Sequence, residues 1–492
     1  MAVSFEQAQG LRQAAQRAAR RPALAAAVLL AGVCAFATTA RADDLFVDPG
    51  RAACSDRATL AIASNPATPW CSPAAAARLA RPGDTVHLAA GTYRAQLRPA
   101  TSGSAAHPIV YVADGAVTLA APTGSVGVLF ANVHDIVLRG VTVRANATQG
   151  ISADEVSGLV LDRDTVTNSG GIGVWIKHGD GVSVTRSTLV KNLRAGLFDS
   201  QYATGTTLSG STVKGNGIDG QQYDGDGVEL NGTRETVTTS VITGNGDGVG
   251  FEHGIYVGAT ASGYTISSDR ISGNAGADIK ATGGAGLIAD NVLGSGLYGI
   301  VLSDNSAPVR VQYNLVQGRF QHGIFLTTGT RPAKARLWNN TVQQTGRSTS
   351  AGDASAVFVA SASQLVLRNN LLAYTNPDAL GSALFVNNAS LLAGLDSQTN
   401  WFASTDARGR NLAWNGSRVT IAEWRTLSGQ DSGGVDSVPP SFDAQGRVGS
   451  ANLGRGLGTR LGLARDLLGS RVPAAGAPDI GAYQATTDSS DS

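Results

Sequence analysis

The chain of 492 residues has only three cysteines, one methionine and five lysines. It shows no Cys/His spacing of a zinc site, no glycine-rich phosphate loop between a strand and a helix, and no nucleophilic serine elbow. A formal net charge of +1 offers no basic face for nucleic acid. The apolar run Pro22–Ala37 is too short to cross a bilayer comfortably. What the chain does have is glycine, 62 of them, and many fall at a regular interval.

A four-residue rhythm repeats through the middle of the chain. It starts at Gly127, Gly150, Gly173, Gly196, Gly227, Gly254, Asp278, Gly299, Gly323, Ala356 and Ala383. The starts recur at roughly 23 residues, the period of a stacked solenoid. An aliphatic residue follows each start, and two positions later most residues are apolar again, as in Val228/Leu230 and Ile255/Val257. This period of two sends one set of side chains inward and the other outward. Isolated strands this short cannot persist, but stacked on like neighbours they bury a continuous aliphatic column. Asn168, Asn192, Asn216, Asn245 and Asn274 recur shortly after an aliphatic residue. Asparagine tolerates left-handed backbone and bonds locally, so these are expected to form a ladder at one coil corner.

The motifs HGIYV (253–257), HGIFL (322–326), NNTV (339–342) and NNLL (369–372) carry a resemblance, with the lead-in GDTVHLAAGTYR (83–94) and the ending DIGAYQ (479–484). From about Asp43 to Gln484 the chain resembles the right-handed parallel β-helix family of exported carbohydrate-active proteins, the pectate-lyase-like superfold. The resemblance implies an all-β solenoid of about 11–13 coils and a polysaccharide substrate. It does not imply one reaction, because such folds host lyases, epimerases, hydrolases and non-catalytic members.

Arg12, Arg17, Arg20 and Arg21 precede the apolar run, and Ala40-Arg41-Ala42 follows it, which reads as a secretory signal over residues 1–42. An uncleaved anchor is the alternative. Removing that segment takes the formal charge from +1 to −3. Export to the periplasm or medium, as a monomer without membrane contact, would let Cys54 and Cys71 form one disulfide rather than remain free thiols. Residues 43–80 are expected to cap the solenoid, with a helix over 72–80 that has Ser72 as N-cap and Pro73 at its first position. Coils then run over 81–402, starting with DTVHLA (84–89) and PIVYVA (108–113). Residues 403–492 lose the rhythm and read as a C-terminal cap with one helix over Ile421–Leu427 and a disordered tail.

The outward column runs Leu129, Ser152, Trp175, Phe198, Glu229, Tyr256, Lys280, Val301, Phe325, Phe358, Phe385. Successive members should lie about 4.8 Å apart, which makes a strip. Trp175 and Phe198 offer apolar faces to sugar rings, and His322 and Arg319 join them as substrate-binding residues. The three phenylalanines at the far end are expected to pack under loops. Long insertions at 215–226, 244–252 and 341–355 all emerge at one edge of the strip.

Lys280 or His253 is placed as the base that abstracts a proton next to a uronate carboxyl group, with Tyr256 as acid or orienting group and Glu229 beside them. Lys280 paired with Glu229 as a structural salt bridge is the plain alternative. Asp224, Asp226, Asp247 and Glu252 could hold Ca²⁺ or could be solvated loop carboxylates. Elimination or C5 epimerisation of an acidic polysaccharide is the leading expectation. A glycoside hydrolase using Asp224, Asp226 or Glu229 is the second, and a non-catalytic glycan-binding or export protein the third. Asp199, inward-facing after Phe198, marks either a bulge or a buried hydrogen bond.

Overall fold

The structure is a computed structural model. It describes residues 42–484 apart from 123, 145–147, 219–224, 249–251, 348–353, 378–379 and 450–451. The expected signal segment and the expected disordered tail therefore lie outside the described residues. Among those described, no helix is long and apolar enough to cross a membrane.

The rhythm is a parallel β-helix. Its first face is a sheet of fourteen strands in which all but Gly179–Asp180 and Ser417–Val419 come one per coil, from Val128–His134 to Leu412–Trp414. The remaining strands form two further columns. These merge in the first coils, where Thr85–Tyr93, Ile109–Leu119 and Ile136–Arg144 each run through as one long strand. The aliphatic residues of the rhythm fill the interior: Val228, Ile255, Ile279, Ile300 and Ile324 are all fully buried.

Two buried side-chain ladders turn the corners. In the first, the backbone N–H and the side-chain Nδ2 of Asn192 both donate to Asn216 Oδ1 (3.1 and 2.9 Å). Asn216 repeats this to Asn245, and Asn245 to Asn274, whose Nδ2 donates to Asp278 Oδ1 (3.0 Å). This ladder accounts for four of the glycines that start coils. A Cβ on Gly173, Gly196, Gly227 or Gly254 would lie 2.5–2.9 Å from the Nδ2 of the ladder asparagine beside it. The expected membership is corrected at one end. Asn168 is exposed and takes the left-handed conformation (φ 51°), while Ser169 holds the ladder position, its N–H donating to Asn192 Oδ1. The left-handed residue is the one before the ladder member, as at Lys191 (φ 57°) and Gly215 (φ 61°).

The second ladder was not foreseen. It runs through Asp164, Ser187, Ser211, Ser240, Asp269, Asn291, Asn314, Asn340, Asn370 and Asn400, each accepting the N–H of its counterpart one coil earlier. Val141 N–H enters it at Asp164, and Asn400 Nδ2 leaves it to Asp431. Backbone groups that a corner would strand are thereby paired in the interior.

Both ends are covered. Strand Asp44–Val47 pairs with Thr85–Leu88, so the expected N-terminal cap contributes a coil strand of its own. The disulfide Cys54–Cys71 is present. It closes a segment that carries a short unforeseen helix, Leu60–Ala63. The helix Pro73–Leu79 has Ser72 as N-cap, but the Ser72 hydroxyl donates to Asp56 (2.7 Å) rather than capping. At the other end Leu412–Trp414 adds a coil beyond residue 402. Helix Ile421–Ser428 starts in a Thr420/Glu423 capping box and buries Trp424 against Phe402 and Trp414. The segment after residue 452 does not cap the end. It lies along the second ladder, where Asn339 Nδ2 donates to Asp479 O (3.1 Å) and Thr341 Oγ1 accepts from Ala482 N–H.

Asn314→Ala removes the acceptor of two donors inside a buried ladder. It should cost about 2–4 kcal/mol in urea denaturation. Asn168→Gly keeps the left-handed corner outside the ladder and should stay within about 0.5 kcal/mol. Equal losses in the two variants would sink the ladder account.

Candidate functional site

The outward column is observed in the expected order. Strand register sets Trp175 beside Phe198, Phe198 beside Glu229, Glu229 beside Tyr256, and Tyr256 beside Lys280. Lys280 is followed by Val301, Phe325, Phe358 and Phe385. Trp175 meets Phe198 edge-on at 6.4 Å, and Lys177 Nζ lies 4.5 Å above the Trp175 ring. Trp175, Phe198, Glu229, Tyr256 and Lys280 are all half-buried, so the strip presents ring faces and charge together.

Beyond Lys280 the strip closes. Val301 and Phe385 are buried, and Phe358 stacks on Phe385 at 5.1 Å. His322 is buried as well, stacked 4.3 Å from Phe358 and 5.8 Å from Tyr298. Its packing inside an aromatic cluster is at odds with the expected substrate contact. Arg319 is exposed, near this cluster in sequence.

At the centre four groups converge. His253 N–H donates to Asp226 Oδ1 at 2.5 Å, and the His253 ring stacks on Tyr256 at 5.9 Å. Lys280 Nζ lies 5.5 Å from the centre of the Tyr256 ring. Burial, then the neighbouring Glu229, hold the Asp226 carboxyl well above the ordinary carboxylate range, against the pull of the His253 N–H and the Lys280 cation. Burial holds the Lys280 amine below its ordinary value of 10.5, against Asp226 and Asp304. The expected roles separate here. His253 Nδ1 accepts the Ala277 N–H (2.9 Å), which leaves the ring proton on Nε2. Burial, then Lys280, push this imidazole down to about 3. His253 is thus a neutral donor, unsuited to the base role, while burial makes the Lys280 amine easier to deprotonate than a free lysine.

The carboxylates proposed for a metal divide. Asp224 lies outside the described residues. Asp226 and Glu252 are buried and Asp247 is exposed. The bases of two insertions do meet, since a Cβ on Gly225 or Gly246 would lie 2.4 or 2.6 Å from the Glu252 side chain. Glu229 Oε1 accepts from Asn231 Nδ2 (3.0 Å), and Asn231 N–H donates to Asp199 Oδ1 (2.7 Å). Asp199 therefore makes the buried hydrogen bond, and burial raises it to about 7. Glu235 was missed from sequence. It is buried near Asp199, and burial, then Asp199, push it up to about 8.

A folded-state pKa of about 3 for His253, against 6.5 for the free side chain, has a stability consequence. The unfolded chain takes up the proton first, so this histidine's contribution is complete above pH 6.5 and is lost as pH falls toward about 3. The urea midpoint of His253→Gln should therefore fall less steeply than that of the wild type on acidification through this window. Parallel profiles would show that His253 is not held neutral.

Residues 126–254 and 221–345 match the family described as right handed beta helix region. None of the curated proteins matches. Among solved structures, the complex of XylC with xylose is similar at a TM-score of 0.53 and 9% identity, covering 90% of this chain and 98% of that one. Pectate lyase Pel9A is similar at a TM-score of 0.43 and 16% identity, over 90% and 96%. An alginate lyase from Paenibacillus sp. strain FPU-7 is similar at 0.37 and 15%, over 54% and 88%. These identities speak to the fold alone. Strand topology and the family match over residues 126–345 agree on the fold, a parallel β-helix of the right-handed type.

Proposed function

We propose that the protein is exported and acts on a uronate-containing polysaccharide by β-elimination, with Lys280 as the base. The observation that carries this reading is a half-buried lysine with a depressed pKa at the centre of an aromatic strip, beside a tyrosine ring. The β-helix fold, shared with the XylC structure solved with xylose, supports action on carbohydrate.

The sugar chain would lie along Trp175, Phe198 and Tyr256, whose ring faces suit the C–H faces of sugars. The neutral Lys280 amine takes the proton from the carbon next to the carboxyl group. The electron pair forms the new C=C bond as the bond to the leaving glycosidic oxygen breaks. The Tyr256 hydroxyl gives that oxygen its proton, and the Lys280 ammonium restores the tyrosine. Donors at the substrate carboxylate stabilise the charge that develops there. His253, with its proton fixed on Nε2, supplies one neutral donor beside Tyr256. C5 epimerisation would use the same first step, with the proton returned to the opposite face.

A second reading has an observation of its own. The Asp226 carboxyl, which burial and then Glu229 raise well above the ordinary range, matches with Glu229 the acid and carboxylate of a glycoside hydrolase. It predicts new reducing ends without unsaturated ones.

Lys280→Ala should lower formation of ultraviolet-absorbing unsaturated ends by about 10²–10⁴-fold while leaving the circular dichroism spectrum unchanged. Wild-type activity should rise with pH through a value below 10.5, because the amine must lose its proton. A folded Lys280→Ala variant with wild-type turnover would remove the lysine from the mechanism. Glycan binding without turnover in either form would make this a binding protein.

A further inference from the structure

A second group of acidic oxygens lies inside the corner beneath Glu229, apart from the groove. Asp199 ends strand Leu197–Asp199, and Ala203 and Thr206 occupy the turn that follows it. Glu235 sits in the same turn one coil later, just before strand Thr236–Thr238. Asp199 and Glu235 are fully buried, and Thr206 is 1% exposed. Asp199 Oδ2, both carboxylate oxygens of Glu235 and Thr206 Oγ1 make no hydrogen bond. The Ala203 carbonyl faces the same small space, since a Cβ on Gly232 would lie 2.3 Å from Ala203 O and 2.5 Å from Glu235 Oε1.

Buried polar groups are normally paired, and buried carboxylates need a compensating charge. The Thr206 hydroxyl and the Gly232 N–H pull on the Asp199 carboxyl, and the Glu235 N–H on its own carboxyl, but among the described residues no well-aligned hydrogen bond reaches these three oxygens and burial outweighs the pull. The donors here are all oxygen, with two formal negative charges and no nitrogen or sulfur, which is the ligand chemistry of a hard divalent cation. Calcium suits the place better than magnesium, because it accepts irregular sets of protein oxygens and needs fewer waters.

We propose that Asp199, Glu235, Thr206 and the Ala203 carbonyl form a buried calcium site between two adjacent coils. The ion stands behind the groove rather than in it. Through Asp199 Oδ1 it orients Asn231, whose Nδ2 holds Glu229 Oε1. It pins the corner under the central part of the strip whether or not the protein is a lyase.

The test is calcium content by mass spectrometry of the purified full chain after desalting, followed by chelation and calorimetric titration with CaCl₂. One calcium per chain is expected in the wild type. Asp199→Asn and Glu235→Gln should fold and retain none, and Thr206→Val should bind more weakly. Wild-type protein with no calcium and no heat would overturn the site, leaving protons to neutralise the pair. So would full stoichiometry in both carboxyl variants, or loss of the ion on Asp247→Asn instead. The wild-type measurements decide the matter even if a variant fails to fold.

Discussion

The buried amide ladder is the constraint on which the rest depends. In Asn216, Asn245 and Asn274, one side-chain oxygen receives both the backbone N–H and the amide Nδ2 of the ladder asparagine one coil before. That pairing satisfies the backbone N–H groups that the sharp corner would otherwise strand. It also demands glycine opposite, because any Cβ at Gly173, Gly196, Gly227 or Gly254 would collide with the amide. Ladder and glycine column fix where the strands of these four coils begin. With every strand starting in step, the residue two places after each start falls on one outward line.

The ladder ends at Asp278, two residues before Lys280. There the coil start changes from glycine to aspartate, and the outward line changes from aromatic and acidic to basic. Long insertions arrive at the same level, and their bases close around Glu252. The result is a patch of low polarity that still holds Asp226, His253, Tyr256 and Lys280 together. Burial dominates the protonation of Asp226, His253 and Lys280. It raises a carboxyl well above the ordinary range, keeps an imidazole neutral and makes an amine easier to deprotonate.

Much of this was legible in the sequence. Period two, combined with a repeated start, placed Trp175, Phe198, Glu229, Tyr256 and Lys280 in one row, and strand register reproduces that row. The first ladder could be read because its members are nearly all asparagine. Asn168 was assigned one position out because asparagine also suits the left-handed residue beside the ladder. The second ladder escaped because serine, aspartate and asparagine share its position. Its signal is a small polar acceptor two residues before a buried aliphatic, as in Ser187/Leu189, Asp269/Ile271 and Asn314/Val316. The burial of His322, the tautomer of His253 and the pairing of Asp199 with Glu235 depend on neighbouring coils and loops. No local pattern carries them. The return of residues 452–484 along the second ladder rests on contacts about 140 positions apart, such as Asn339 to Asp479.

The central claim is that this face abstracts a proton from the carbon next to a uronate carboxyl group. The most direct measurement is a nuclear magnetic resonance time course of the protein with uronate polymers in heavy water. The account predicts loss of the C5 proton signal, with unsaturated ends growing at the same rate, or deuterium entering at C5 if the sugar is epimerised. Shortened chains with every C5 proton retained would contradict it and place the chemistry on the carboxyl pair Asp226 and Glu229.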